Sequence, residues 1–196
     1  DSVKPYTGKC TQANIDNPKY GVKCNIPGCD RGKYFNATSQ KCLNCPPGKF
    51  GRVPKTFLPE NKSCALCPFG QYNQYDGFTQ CSYCPPGKYG VQLGAVSLSL
   101  GCNNCSIGSY GNVSGSQNKS VGCSTCPAET YAKNSGSTKC QQLVACSQGK
   151  YITFAGNASH DRRCKNCSRG EYTNVPNEDS CATVSYTHLR AHETTE

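Results

Sequence analysis

Eighteen cysteines in 196 residues, nearly all set in one recurring phrase, limit what this chain can fold into. The phrase is Cys-x-x-Gly-x-aromatic, then a polar loop, then a closing cysteine with two residues between it and the next opening one. It begins at Cys29, Cys45, Cys67, Cys84, Cys105, Cys126, Cys146 and Cys167. The aromatics are Tyr34, Phe50, Tyr72, Tyr89, Tyr110, Tyr131, Tyr151 and Tyr172. Only the sixth copy departs, with Glu129 in the glycine position. A copy of about two dozen residues is too short to bury an apolar core that offsets chain entropy. Hydrophobic residues, cysteines included, are only 35% of the chain, which has no Trp or Met. Covalent staples must supply the difference.

Cysteine in even number and at this density points to an oxidising compartment. From opening to closing cysteine the separation is 13 or 14 for Cys29–Cys42, Cys67–Cys81, Cys126–Cys140 and Cys167–Cys181. It is 18 or 19 for Cys45–Cys64, Cys84–Cys102, Cys105–Cys123 and Cys146–Cys164. With Cys10–Cys24, such nearest-neighbour pairing uses every cysteine once and closes loops of similar length. A crossed pairing of adjacent Cys-x-x-Cys units, first to first and second to second, is the alternative; it strands Cys167 unless position 184 were a cysteine. Around each bridge the sequence predicts turns and short strands, with the Lys-aromatic pair opening an extended ladder. No stretch has a helical period. The repeated aromatic is expected to lie across a neighbouring disulfide or the next module's backbone.

Asn-x-Ser/Thr sequons occur at Asn36, Asn61, Asn104, Asn112, Asn118, Asn157 and Asn166. Asn104 and Asn166 have cysteine in the middle position and are poorer acceptors. The other five, all in loops between an opening and a closing cysteine, are the proposed N-glycosylation sites. No apolar run is long enough to cross a membrane, so any membrane attachment is expected from regions outside this fragment.

Val184 to Thr194 reads VSYTHLRAHET and resembles the translated transposase adapter of short-read sequencing libraries. It begins at the position where the repeat calls for a cysteine. Residues 184–196 are therefore read as a non-native tail, which takes His188 and His192 out of the argument. Without Arg190, Glu193 and Glu196 the chain keeps 20 basic and 10 acidic residues.

The segments CPPGKF, CPPGKYG and CSQGKYITFAGNASHDRRCKNCSRGEYTNVPNEDSC resemble the cysteine-rich repeats of tumour-necrosis-factor-receptor-like and ephrin-receptor-like ectodomains. The resemblance covers about residues 29–183 and extends to growth-factor-receptor and EGF-like cysteine-rich modules in general. It implies an extracellular, non-catalytic binding or spacing role. The long loops lack the additional internal cysteine of the larger receptor modules. Five residues, not two, separate Cys140 from Cys146.

Rival chemistries find less support. Cys42-x2-Cys45-x18-Cys64-x2-Cys67 has zinc-ribbon spacing, but the cysteines run on without closing into tetrads, which favours disulfides. His160, in Ser159-His160-Asp161, has no apolar pocket in the sequence around it and reads as a solvated loop residue. Charge is more informative. Residues 1–62 carry eleven Lys or Arg against four acids, and Arg162, Arg163, Lys165 and Arg169 cluster near the end. On an extracellular chain such charge suits acidic glycans or an acidic protein face, not nucleic acid, or serves solubility alone. The loop Val91–Gly101 offers Val96, Leu98 and Leu100 in alternation, which predicts a strand packed on the adjacent module.

The sequence thus predicts a small disulfide-rich, mostly β and turn fold. It is an elongated linear array without a conventional hydrophobic core, made of a lead segment 1–28, eight modules over 29–183 and the tail 184–196. The expected role is extracellular recognition or adhesion, as a receptor-ectodomain fragment; the alternative is a passive stalk in a larger secreted or surface protein. No catalytic residue, cofactor or metal ligand is assigned. The residues singled out for partner contact are Arg162, Arg163, Lys165 and Arg169.

Overall fold

The computed structural model describes residues 28–54 and 57–184. Residues 1–27, with the proposed Cys10–Cys24 bridge, lie outside them, as does the tail beyond Val184. Each module forms one antiparallel two-stranded hairpin. In chain order these pair β1 (Lys33–Asn36) with β2 (Lys41–Asn44), and β3 (Lys49–Gly51) with β4 (Cys64–Leu66). β5 (Gln71–Tyr72) pairs with β6 (Ser82–Tyr83). β7 (Lys88–Gly90) pairs with β8 (Cys102–Asn104), and β9 (Ser109–Tyr110) with β10 (Ser124–Thr125). β11 (Thr130–Tyr131) pairs with β12 (Gln141–Gln142). β13 (Lys150–Phe154) pairs with β14 (Arg163–Asn166), and β15 (Glu171–Tyr172) with β16 (Ala182–Thr183). The first strand of each hairpin carries the repeat aromatic, as the sequence predicts.

Among the described residues eight disulfides follow in sequence: Cys29–Cys42, Cys45–Cys64, Cys67–Cys81, Cys84–Cys102, Cys105–Cys123, Cys126–Cys140, Cys146–Cys164 and Cys167–Cys181. They serve as the core. The largest side chains with under 2% exposure are six opening cysteines, Cys29, Cys45, Cys67, Cys84, Cys105 and Cys146. Phe50 packs on the next module's Cys67–Cys81 bridge, where the aromatic was expected.

Among the described residues three single helical turns depart from the strand-and-turn expectation: α1 (Glu60–Ser63), α2 (Leu98–Gly101) and α3 (Lys119–Gly122). Each runs straight into the closing cysteine of a long-loop module. Four residues are about one turn, so no periodicity can announce them. The caps could have: the Ser97 side chain accepts from the Leu100 N–H and Asn118 from the Val121 N–H. The strand expected over Val96, Leu98 and Leu100 is corrected accordingly. The Ser97 cap winds Leu98 and Leu100 into α2, and Leu100 stands exposed.

The chain divides into two compact units, Asp1–Cys105 with Asn112–Cys123, and Ser106–Gly111 with Ser124–Glu196. The same backbone stitches recur inside each. In the first unit the opening N–H groups of Cys45, Cys67, Cys84 and Cys105 donate to the turn carbonyls of Gly32, Gly48, Gly70 and Gly87. In the second, Cys126 and Cys167 do the same to Gly108 and Gly149. A further stitch leaves each of the first seven modules six residues after its opening cysteine. There Phe35, Gly51, Asn73 and Gly90 donate to carbonyls of the following module, Leu58, Phe78, Ala95 and Ser116. Gly111, Ala132 and Ile152 continue the pattern onto Ser137, Ala158 and Glu178.

Gly32, Gly48 and Gly70 also touch the module after next. A Cβ on Gly32 would lie 2.1 Å from the Gly77 carbonyl oxygen, and one on Gly48 or Gly70 would lie 2.3 Å from that of Gly94 or 2.4 Å from that of Gly115. Positive φ at these glycines suits the turn. The missing side chain suits the packing.

Candidate functional site

Both irregularities of the repeat fall at the junction of modules six and seven, and the fold turns them into one feature. Leu143 takes over the backbone task of an opening cysteine, its N–H donating to Glu129 C=O at 2.9 Å. Glu129 holds the turn with φ of 59° where other copies have glycine. Asp161 and Arg162 stitch the three extra residues in place. The Asp161 carboxylate accepts from the N–H groups of Val144 and Arg162, at 2.8 and 2.7 Å. The Arg162 guanidinium donates to the carbonyls of Ala155 and Val144, to Asn177 Oδ1 and to the Glu129 carboxylate. Glu129 thus supplies the counter-charge of an arginine that is only 8% exposed.

A cleft of about 280 Å³ opens over this junction, lined by Tyr131, Lys133, Ser159, His160, Asp161, Arg162 and Arg163. Tyr131 comes from β11, the cations Lys133 and Arg163 from modules six and seven. Asn157 Oδ1 accepts from the N–H groups of Ser159 and His160, an Asx turn that shapes the cleft's rim. The Val144 N–H, ahead of the Arg162 N–H, the Tyr131 hydroxyl and the Arg162 charge, holds the Asp161 carboxyl below its ordinary range against partial desolvation. Desolvation, then the hydrogen bond to Asp161 and its charge, push the Tyr131 phenol up. The one carboxylate lining the cleft is therefore committed to the protein.

Of the four basic residues singled out from sequence, Arg162 is buried and engaged as described. Arg163, Lys165 and Arg169 are exposed. Arg163 and Lys165 stand two apart on β14, opposite Phe154 and Tyr151 of β13. The Arg163 guanidinium lies 5.9 Å from the centre of the Phe154 ring. Neither these cations nor Lys133 forms a salt bridge among the described residues, where only Lys49–Glu60 and Arg162–Glu129 occur. Lys133 and Tyr131 escaped the sequence reading. Lys133 has no motif around it, and Tyr131 is one of eight equivalent aromatics.

Among the proposed glycosylation sites Asn61, Asn112, Asn118 and Asn157 are exposed and Asn36 is half-buried. Among the described residues no group of three or more His, Cys, Asp or Glu is placed to hold a metal ion. No described helix is long and apolar enough to cross a membrane.

Sequential disulfides, isolated hairpins and a core made of cystine define an array of small cysteine-rich modules. Its residues 55–100 match the family model described as tyrosine-protein kinase ephrin type A/B receptor-like. That stretch is an ephrin-receptor-like cysteine-rich region, of a kind typical of extracellular regions and typically non-catalytic. No curated protein matches the chain.

Proposed function

We propose that this array belongs to a secreted or cell-surface glycoprotein and serves extracellular recognition of acidic glycans. The observation that carries the reading is the convergence of Lys133, His160 and Arg163 on one cleft, with Lys165 next on the Arg163 strand. A volume near 280 Å³ suits a sugar-sized group, below the usual range for larger ligands. Tyr131 offers a ring for a sugar face, and the cations, which form no salt bridge among the described residues, offer charge for its sulfate or carboxylate. Disulfide stapling suits an oxidising compartment, and the exposed sequons suit glycan attachment. Tumour-necrosis-factor-receptor-like and EGF-like modules stand as looser kin in this reading.

The test is binding to heparin and to an array of neutral, carboxylated and sulfated glycans, comparing the chain with Lys133→Ala/Arg163→Ala/Lys165→Ala. Retention on acidic glycans that the triple variant loses at unchanged melting temperature is expected. Binding to an acidic protein instead would replace the ligand class.

The second reading is a passive stalk. It is favoured by the stitch from each of the first seven modules to the next, a continuity suited to spacing. Absence of binding to any glycan or protein would leave this reading in place.

A further inference from the structure

Module eight carries the same docking groups as its predecessors, but they have no partners among the described residues. In each of the first seven modules the N–H six residues past the opening cysteine donates to the following module; the counterpart here is Thr173. Thr173 is only 5% exposed, and its N–H has no acceptor among the described residues. The opening carbonyls of Cys45, Cys67, Cys84 and Cys146 accept from Gly77, Gly94, Gly115 and Asn177 of the next module. The Cys167 carbonyl has no such donor among the described residues.

Side chains agree. The opening cysteines of modules one to seven are buried, whereas Cys167 is half-buried. Tyr172 is 39% exposed, and the seven other repeat aromatics are all more covered. A Cβ on Gly149 or Gly170 would meet nothing within 4 Å, where Gly32, Gly48 and Gly70 have the backbone of the module after next against them. Val184 N–H donates to the Gly170 carbonyl at 3.0 Å, the bond an opening cysteine makes.

We propose that this face of modules seven and eight is a docking seat whose occupant is a further Cys-x-x-Gly-x-aromatic module. It continues the interface by which the chain already packs its own modules. An occupant joined at position 184 enters in register, because that residue already holds the opening position. Its loop turn would bond Thr173 and Cys167 and close over Gly149.

The test replaces residues 184–196 with a copy of Cys67–Tyr83, or with a copy of Cys84–Asn104, and follows amide exchange at Thr173. Exchange is expected to slow at least about tenfold relative to the present chain, with the copy's own disulfide formed. Gly149→Ala should lower the melting temperature more in the extended proteins than in the present chain, since only there would the new Cβ meet backbone. Thr173 exchanging equally fast beside a disulfide-bonded copy would overturn the proposal. So would failure of both copies to form their disulfide, because the seat would then reject its own repeat.

Discussion

Gly90 shows how tightly single residues are specified in a protein with so little core. A Cβ there would fall 1.9 Å from the Gly70 backbone nitrogen, and one on Gly51 would fall 2.5 Å from that of Gly32. Neither glycine has positive φ, so the demand comes from packing and not from the turn. Gly90→Ala should therefore cost about 1–3 kcal/mol by overpacking, read from denaturant titration under non-reducing conditions. A neutral result would mean that the modules part freely. At the other junction Arg162→Ala strips four acceptors of a charged donor and should cost about 2–3 kcal/mol. Glu129→Gln leaves most of that network and, with Glu129 66% exposed, should cost less than about 1 kcal/mol. Equal losses would contradict the assignment of Arg162 as the organiser. The sequence shows a cluster of cations here, but nothing in Asp161-Arg162-Arg163 says which one turns inward. That is decided by residues inserted at 143–145 and by Glu129, more than thirty positions away.

The hairpin is the element that sequence makes legible. Cys-x-x-Gly fixes the turn, the aromatic marks the first strand, and the closing cysteine marks the second, as in the register Tyr34↔Leu43 and Tyr89↔Asn103. The stitches between hairpins are invisible to it, since they run between backbone groups whose residues vary from Phe35 to Ala132. The helical turns are hidden by their brevity. The junction at residues 141–145 should also be the acid-sensitive element. Asp161 has a folded pKa below its unfolded value, so its contribution is present above the ordinary carboxylate range and is lost as pH falls through the lower folded value. Tyr131 behaves in the opposite sense: its raised phenol pKa favours the fold below the ordinary tyrosine range and ceases to do so as pH rises through the folded value. Asp161→Asn should accordingly flatten the acid side of a stability–pH profile. An unchanged acid limb would mean that other carboxylates set it.

At the scale of the whole molecule, covalent loops do the work that apolar area does elsewhere. Each bridge closes 13 to 19 residues, worth roughly 3 kcal/mol in the loop-entropy account. Such a protein should lose its hairpins on reduction and be indifferent to chelators, the reverse of a zinc-held array. Parity and loop length suggest the pairing, yet the same spacings accommodate crossed bridges. Only the folded arrangement, in which each opening cysteine is bridged to the closing cysteine of its own hairpin, distinguishes them. Peptide mapping by mass spectrometry after non-reducing digestion, with free thiols alkylated first, tests this most directly. The expected peptides are joined as Cys29–Cys42, Cys45–Cys64 and onward to Cys167–Cys181, with none of these sixteen cysteines alkylated. Bridges such as Cys42 to Cys64 and Cys45 to Cys67, or alkylated thiols released with stoichiometric metal, would contradict it.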